Sequence, residues 1–297
     1  MATRRCVATR VRILLTGSQG QVGWELQRSL APLGEVTALG RGQLDLASPD
    51  AIQSAVRAAA PGVIVNAAAY TAVDQAEREA ELAHAVNARA PGVLAEEAGR
   101  LGALLVHFST DYVFDGAKAG AYLEGDPPRP LGVYGTSKLA GERAIQGSGC
   151  RHVILRTSWV YGARGKNFML TMLRLAREKP ELRVVADQVG APTWCRALAV
   201  ATAALIPKAL ANPAAHGVYH ATNAGATSWC GFATEILRLA GIATPVLPIP
   251  AADYPTPVAR PANSVLDNTA LLRAFGLALP DWNSSLAQCL REAGQAA

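Results

Sequence analysis

A tyrosine and a lysine four residues apart are the side chains of this sequence best suited to chemistry. Tyr134 and Lys138 lie in a stretch, residues 134–147, whose pattern predicts a helix, so the two side chains share one face. A tyrosine hydroxyl has a pKa of about 10 and can donate a proton as a general acid. Because a neighbouring ammonium lowers the pKa of a phenol, this spacing indicates proton transfer to a substrate oxygen.

A threonine at the end of a predicted strand is expected to face the same place. Residues 103–109 form an apolar run that predicts a strand, and Thr110 and Asp111 follow it directly. Ligands of open α/β sheets bind at the carboxyl ends of the strands, so these side chains should share one crevice with Tyr134. A Thr110 hydroxyl there can donate a hydrogen bond to an oxygen on which negative charge develops. We therefore predict Thr110, Tyr134 and Lys138 as the catalytic residues.

Glycines recur at every third position between the first predicted strand, residues 12–16, and the first predicted helix, residues 22–33. Without side chains, such a turn lets the backbone approach a pyrophosphate, and the amides and dipole of the following helix favour an anion. A tight strand-to-helix turn that binds no ligand is the alternative explanation of this spacing. The coenzyme contacts predicted from the turn are Gly17, Gly20, Gln21, Val22 and Gly23.

Residues after the second and third predicted strands extend this coenzyme site. The strand at residues 35–39 is followed by Arg41 rather than by the acidic residue that would bind the ribose hydroxyls of NADH. Because an arginine binds a 2′-phosphate bidentately, we predict NADPH in preference to NADH, which stays possible. Asp45 and Leu46 are placed to hydrogen-bond and cover the adenine. The small side chains of Ala67, Ala68 and Ala69 leave room for the ribose–phosphate backbone of the coenzyme.

The alternation of short β-branched runs with longer amphipathic stretches predicts the elements that position these residues. It is typical of an α/β fold with a doubly wound parallel sheet, Rossmann-like, covered by helices on both faces. The predicted strands are residues 12–16, 35–39, 63–66, 103–109 and 152–157. The predicted helices are residues 22–33, 50–60 with Ser48 as N-cap, 79–100 interrupted near Pro91, and 134–147.

The regular alternation ends after the fifth predicted strand, which sets the domain organisation. We predict a dinucleotide-binding domain at residues 11–157 and mainly a second, smaller α/β substrate lobe at residues 158–297. A predicted helix at residues 195–210 can pack back onto the first domain. Residues 1–10 are basic and are predicted to be a disordered extension.

The composition argues against several classes of function. The net charge of +5 is mild and no basic stripe interleaved with aromatics occurs, so we predict an anionic small ligand rather than nucleic acid. The five cysteines are widely spaced, which argues against a disulfide framework or a zinc site. The longest apolar run, residues 197–206, is too short to span a bilayer, and the N-terminus lacks the apolar core of a signal peptide. We therefore predict a cytoplasmic protein without membrane contact.

Several of these segments together resemble a known family. The glycine turn, Asn66–Tyr70, Ser109–Phe114 and the pair of Tyr134 and Lys138 resemble the extended short-chain dehydrogenase/reductase superfamily. Four further blocks resemble the dTDP-4-dehydrorhamnose reductase family within it. These blocks are residues 20–26, 156–161, 190–193 and 254–264.

The resemblance implies hydride transfer from a nicotinamide to the C4 ketone of dTDP-4-dehydro-L-rhamnose, which yields dTDP-L-rhamnose. Lys138 would also hold the nicotinamide ribose, and Thr110 and Asp111 would contact the sugar. Trp159 would pack near the substrate and could stack on the thymine base, whereas a buried core tryptophan is the alternative. Asn87 matches a structural asparagine of the superfamily that lies near the lysine.

One position departs from the family pattern. Glu25 and Glu292 match two positions at which some members hold a magnesium ion that helps to join two subunits, but the third position is Arg196. A guanidinium repels a cation and can pair with a carboxylate instead. We therefore predict no metal and, if the homodimer of this family forms, a salt bridge in its place.

Three alternatives stay open. The first is a reductase of a related nucleotide 4-keto-6-deoxy sugar. The second is a non-catalytic NADP-binding regulatory subunit, against which the presence of Thr110, Tyr134 and Lys138 argues. The third is a dehydratase or epimerase, which would need further acid/base groups beside Thr110, where Tyr112 occupies the position of the expected glutamate.

Overall fold

The computed structural model describes residues 11–296, so the predicted extension at residues 1–10 lies outside the described residues. The strands are β1 (Val11–Thr16), β2 (Gly34–Leu39), β3 (Val63–Asn66), β4 (Leu104–Thr110), β5 (His152–Thr157), β6 (Val160–Tyr161), β7 (Leu182–Val185), β8 (Val189–Gly190), β9 (Thr193–Trp194), β10 (Gly217–His220), β11 (Thr227–Ser228) and β12 (Val246–Ile249). The α-helices are α1 (Gln21–Leu30), α2 (Pro49–Ala59), α3 (Val73–Ala76), α4 (Ala80–His84), α5 (Ala90–Leu101), α6 (Val133–Gly147), α7 (Phe168–Glu178), α8 (Cys195–Ala211), α9 (Trp229–Leu239), α10 (Thr269–Phe275) and α11 (Trp282–Glu292).

Six strands form one parallel sheet in the order β2-β1-β3-β4-β5-β10. The chain runs from β1 outward to β2 and then returns to β3 on the other side of β1. The strand order therefore reverses between β1 and β3, where Thr16 and Asn66 are register partners at the carboxyl ends. Open α/β sheets bind ligands at such a reversal, so the topology alone places a site at this edge.

Successive residues of each strand point to opposite faces of this sheet. Both faces carry apolar side chains, and helices cover both. Ile13 and Leu15 of β1 join a core that includes Leu26 of α1, whereas Leu14 joins a core that includes Ile52 of α2. All five of these leucine and isoleucine side chains are buried. The predicted doubly wound, Rossmann-like sheet is confirmed.

Two elements beyond the fifth predicted strand belong to this sheet domain. The edge strand β10 pairs with β5, and α8 packs against α1. The sequence did not reveal β10, because its four residues, Gly217–His220, are too few to show a pattern and all but the last are only partly buried. The apolar residues of α8 are buried on most sides, as expected of a helix between two layers.

The stretch predicted as one interrupted helix, residues 79–100, is divided as its proline requires. The five-residue π-helix Ala85–Arg89 joins α4 to α5, and Pro91 lies in the first turn of α5. The chain stays helical through this proline, and the widened π turn before it accommodates the ring and the missing N–H. The widened π turn carries Asn87, whose side chain is buried.

The remaining elements form short two-stranded pairs, β6 with β9, β7 with β12 and β8 with β11, packed with α7, α9 and α11. These elements follow β5 along the chain. Their assignment to a separate substrate lobe at residues 158–297 stays a proposal. Within residues 11–296, no helix combines the length and apolar character needed to cross a membrane.

Candidate active site

A cavity of about 1200 Å³ follows the carboxyl edge of the sheet. It extends from Arg41 and Asp45 at one end, past Thr110 and Tyr134, to Trp159 at the other. With one exception, every residue predicted to bind coenzyme or substrate lines it. The structure therefore brings together side chains that lie far apart in the sequence.

The exception is Gly23, the last glycine of the turn. A Cβ at this position would collide with the carbonyl oxygen of Gly17, so Gly23 allows α1 to pack against the turn. Gly17 itself has a φ of +72°, and a Cβ there would lie 2.7 Å from the backbone of Ala68. Both positions thus need glycine for close backbone packing.

Gly20 is the N-cap of α1 and provides no side-chain hydrogen bond to the first turn. The amides of that turn face the cavity lined by Gly20, Gln21 and Val22. A helix N-terminus without its own cap favours an anion. The turn, the small side chains of Ala67 and Ala68 and the volume of the cavity fit the pyrophosphate of a dinucleotide.

The opposite wall at this end carries charge. Arg41 is exposed, and its positive charge contributes to lowering the pKa of Glu79, after hydrogen bonds from Tyr70 and Gln75. Asp45 accepts a hydrogen bond of 2.9 Å from the amide of Ala47, which fixes the carboxylate at the cavity wall. An exposed guanidinium here fits a phosphorylated ribose.

Tyr134 stands in the first turn of α6, where its ring meets the edge of Tyr112 at 5.6 Å between centroids. Burial raises the pKa of Tyr134 to about 12, and the neighbouring Thr110 hydroxyl partly offsets this rise. Lys138 directs its ammonium group toward β4, so the predicted lowering of the phenol pKa by that charge stays a prediction. The raised pKa keeps the phenol protonated at neutral pH.

Lys138 is 1% exposed and points into the sheet rather than along α6. Its Nζ donates to the carbonyl oxygen of Phe108 at 2.6 Å and lies 3.1 Å from Nε2 of His107. Burial lowers the pKa of Lys138 to about 8, against the attraction of the Glu142 carboxylate. Sequence reasoning missed His107, although a histidine inside the apolar run of β4 is a usable signal.

Asn87 connects the third strand to the catalytic helix. Its Oδ1 accepts from the amide of Tyr70 at 2.8 Å, and its Nδ2 donates to the Tyr70 carbonyl at 3.0 Å and to Ser137 Oγ at 3.1 Å. Ser137 in turn donates to the carbonyl oxygen of Tyr134 at 2.8 Å. These contacts fix the start of α6 relative to the coenzyme side of the cavity.

Asp111 is a buried carboxylic acid beside the catalytic threonine. Its Oδ1 accepts from Thr110 Oγ1 at 3.0 Å, and its Oδ2 has no hydrogen-bond partner among residues 11–296. Burial raises the pKa of Asp111 to about 6, although the nearby hydroxyls of Ser264 and Thr110 oppose the rise. Such a group can offer both an acceptor and, when protonated, a donor to a sugar.

Trp159 forms the far end of the cavity with Trp229, which the sequence did not single out. The two indoles stack at 3.5 Å between ring centroids and 8° between planes. Trp159 is half-buried and has a φ of +47°, a left-handed conformation that is unusual for a bulky residue. A Cβ at Gly190 would lie 2.5 Å from the Trp159 ring, so the glycine makes room for it.

Arg196 pairs within this chain with both carboxylates named above. It reaches Glu25 at 2.9 Å and also contacts Glu292. Residues 11–296 contain no cluster of three or more His, Cys, Asp or Glu side chains arranged to hold a metal ion. A guanidinium between two carboxylates does not fit a divalent cation.

Comparisons with known proteins agree with this geometry. The model of the RmlD substrate binding domain matches residues 11–295. The chain is 51% identical to a dTDP-4-dehydrorhamnose reductase of Burkholderia thailandensis, over 95% of this chain and 99% of that protein. It is 46% identical to one of Escherichia coli K12, over 95% and 98%. The dTDP-4-dehydrorhamnose reductase of Bacillus anthracis, solved in complex with NADP, matches with a TM-score of 0.90 at 38% identity, over 95% of this chain and 99% of that chain.

Proposed function

The chain belongs to the RmlD family of dTDP-4-dehydrorhamnose reductases, and we propose that it reduces the C4 ketone of dTDP-4-dehydro-L-rhamnose to dTDP-L-rhamnose with NADPH. The observation that carries this proposal is the single cavity that joins the glycine turn to Thr110, Tyr134 and Lys138. A coenzyme and a keto-sugar that share this cavity would meet at the phenol.

Residues of the sheet edge would hold the coenzyme. The glycine turn would bind the pyrophosphate, and Arg41 would bind the 2′-phosphate. Asp45 and Leu46 would contact the adenosine. When bound, NADPH supplies the hydride that adds to the ketone carbon.

Tyr134 would donate the proton that the reduction requires. Hydride addition places negative charge on the ketone oxygen, and the O–H bond of Tyr134 breaks as its proton moves to that oxygen. The raised pKa of Tyr134, about 12, ensures that the proton is present at neutral pH. Thr110 would turn its hydroxyl hydrogen from Asp111 to the same oxygen as a second hydrogen-bond donor. An ammonium on Lys138 would stabilise the negative charge left on the phenol.

The far end of the cavity would bind the rest of the substrate. Asp111 and Thr110 would hydrogen-bond the sugar, and the stacked pair of Trp159 and Trp229 offers an apolar surface for the thymine base. We place the reaction in the cytoplasm, where the composition predicted the protein to be. A homodimer stays a prediction.

The experiment is NADPH oxidation with dTDP-4-dehydro-L-rhamnose, compared between the wild type and Tyr134→Phe. We expect Tyr134→Phe to lose about 10²- to 10⁴-fold in kcat, because the general acid is removed. Tyr219→Phe is the matched control, since the Tyr219 hydroxyl donates to the Ala215 carbonyl, outside the cavity. A Tyr134→Phe variant as fast as the wild type would refute the mechanism.

Product analysis separates the remaining alternatives. If only a related nucleotide 4-keto-6-deoxy sugar is consumed, the proposed substrate is wrong, but the proposed reduction of a C4 ketone is retained. If the protein binds NADPH and turns over no nucleotide keto-sugar, it is a regulatory subunit and the proposed function fails.

A further inference from the structure

A chain of four buried polar side chains runs below the cavity from β1 to α6. Thr16 Oγ1 donates to Asn66 Oδ1 at 2.7 Å, and Asn66 Nδ2 lies 3.0 Å from His107 Nδ1. His107 Nε2 then lies 3.1 Å from Lys138 Nζ. Each of the four is at most 1% exposed. Each hydrogen that these side chains direct at one another therefore needs an acceptor.

The orientation of the Asn66 amide follows from its backbone neighbour. Asn66 Oδ1 also accepts from the amide of Ala68 at 3.3 Å, and a backbone N–H can only donate. The amide nitrogen of Asn66 must consequently face His107 and donate to its Nδ1. A neutral imidazole has one acceptor and one donor nitrogen, so the hydrogen of His107 is on Nε2.

That hydrogen points at Lys138. An ammonium has three N–H bonds and no lone pair, so it cannot accept from His107, whereas an uncharged amine can accept from His107 and donate to the Phe108 carbonyl. We propose that His107 is a positioning residue for the reduction: the tautomer that Asn66 imposes on it holds Lys138 on the Phe108 carbonyl and makes the Lys138 ammonium easier to deprotonate. This inference rests on the proposed function, in which Lys138 takes part.

The other charged and titratable groups around Lys138 do not reverse this preference. Glu142, one turn further along α6, favours the ammonium, but its carboxylate is already paired with Arg156 of β5 and accepts from Ser109. Tyr134 on the same helix and Asp111 after β4 line the cavity side. Burial and the charge of Lys138 hold the pKa of His107 well below its usual value, so the imidazole stays neutral.

The consequence for the enzyme is a lysine that changes charge near neutral pH. An ordinary lysine, with a pKa of about 10.4, would stay charged throughout the working range. The pKa of Lys138, about 8, agrees with this inference. The imidazole thus adjusts the lysine without contacting substrate or coenzyme.

The direct test is the tautomer of His107 in the full chain, read from the two ring-nitrogen signals by NMR. The spectrum is recorded at about pH 9, above the Lys138 pKa, and His107→Gln identifies the signals by their loss. We expect a neutral ring with hydrogen on Nε2. A ring with hydrogen on Nδ1, or an imidazolium, overturns the proposal. Neither outcome depends on activity, so failure here differs from failure of the proposed function.

A second measurement follows Lys138 itself. Its pKa is read from the side-chain NMR signal of labelled lysine, assigned by its absence in Lys138→Met. In His107→Gln the side-chain amide can turn its oxygen toward the ammonium, so we expect the pKa of Lys138 to rise by about one unit. The alkaline limb of kcat/KM should move with it. His152→Gln, which alters a histidine bonded to the Cys150 carbonyl, is the control and should leave both unchanged. An unchanged or lowered Lys138 pKa in His107→Gln overturns the proposal.

Discussion

Two buried cations border α6, and the protein treats them differently. Arg156 donates to both oxygens of Glu142, through Nε at 3.0 Å and Nη2 at 2.7 Å, and Ser109 donates to the same carboxylate. Lys138 is equally buried but lies against an imidazole and a backbone carbonyl, with its pKa lowered to about 8. One cation is matched by a carboxylate and the other by neutral groups.

The difference separates a structural from a chemical use of buried charge. A bidentate ion pair whose remaining lone pairs are satisfied keeps both groups ionised over a wide range of pH. A buried cation with neutral partners can change its charge, which is the property that proton transfer needs. We therefore expect substitutions at Arg156 to affect folding and substitutions at Lys138 to affect catalysis.

The largest effect is expected from breaking the ion pair. Arg156→Met leaves the buried Glu142 carboxylate without its counter-charge and should lower the free energy of unfolding by about 3–5 kcal/mol. Urea denaturation measures this change. Arg143→Met, on an exposed position of α6, is the control and should stay within about 0.5 kcal/mol of the wild type. Replacing both partners, Arg156→Met with Glu142→Met, should restore most of the stability; a double variant as unstable as the single one would contradict this explanation.

Substitution of the second buried cation, Lys138, should reduce catalysis without unfolding the protein. Lys138→Met removes the ammonium that stabilises the tyrosinate, and we expect kcat to fall roughly 100- to 1000-fold. Steady-state kinetics measures the loss, and Lys179→Met, at an exposed lysine, provides the control. If Lys138→Met unfolded the protein while keeping the turnover of its folded fraction, the two cations would not differ in the way proposed.

The pH dependence of stability sharpens the comparison further. The folded pKa of Lys138, about 8, lies below the unfolded value of about 10.4, so between these pH values the unfolded state binds the proton that the folded state lacks. The free energy of unfolding therefore rises as pH increases from about 8 to 10. Below pH 8 the cost of burying the charge of Lys138 is fully present. At pH 7 we expect Lys138→Met to be more stable than the wild type by on the order of 2–3 kcal/mol, with the gap closing at higher pH. A difference in stability between Lys138→Met and the wild type that widens with pH would contradict this prediction.

Much of this arrangement was predictable from the sequence because it depends on local patterns. Glycines between a strand and a helix, and two side chains one helical turn apart, are features that neighbouring residues create by themselves. The five predicted strands agree with β1 to β5 within a residue or so, because β-branched apolar runs between turn residues leave few alternatives. The position of Asn87 near the lysine helix, in contrast, came from the resemblance to the superfamily.

The contacts that set the charges were not predictable, because they join residues that the fold alone brings together. His107 and Lys138 are 31 residues apart and meet because β4 lies under α6. The burial that raises the Tyr134 pKa was not predictable for the same reason, and spacing along a helix does not show that Lys138 turns toward the sheet. Trp229 likewise reaches the cavity through the packing of α9, seventy positions beyond Trp159.

The smallest effect is expected from a third cation, which lies at the surface. Arg41 is exposed at the coenzyme end of the cavity. Arg41→Ala should reduce the preference for NADPH over NADH, as the ratio of kcat/KM values, by about tenfold, because solvent weakens the contact of a guanidinium with a 2′-phosphate. The value of kcat/KM with NADH should stay unchanged, which serves as the internal control.

Added salt should reduce the preference of the wild type for NADPH in the same way. The effect of Lys138→Met on kcat should not change with salt, since screening acts on exposed charges far more than on buried ones. An unchanged coenzyme preference in Arg41→Ala would remove Arg41 from the coenzyme site and leave the contrast between the two buried cations unaffected.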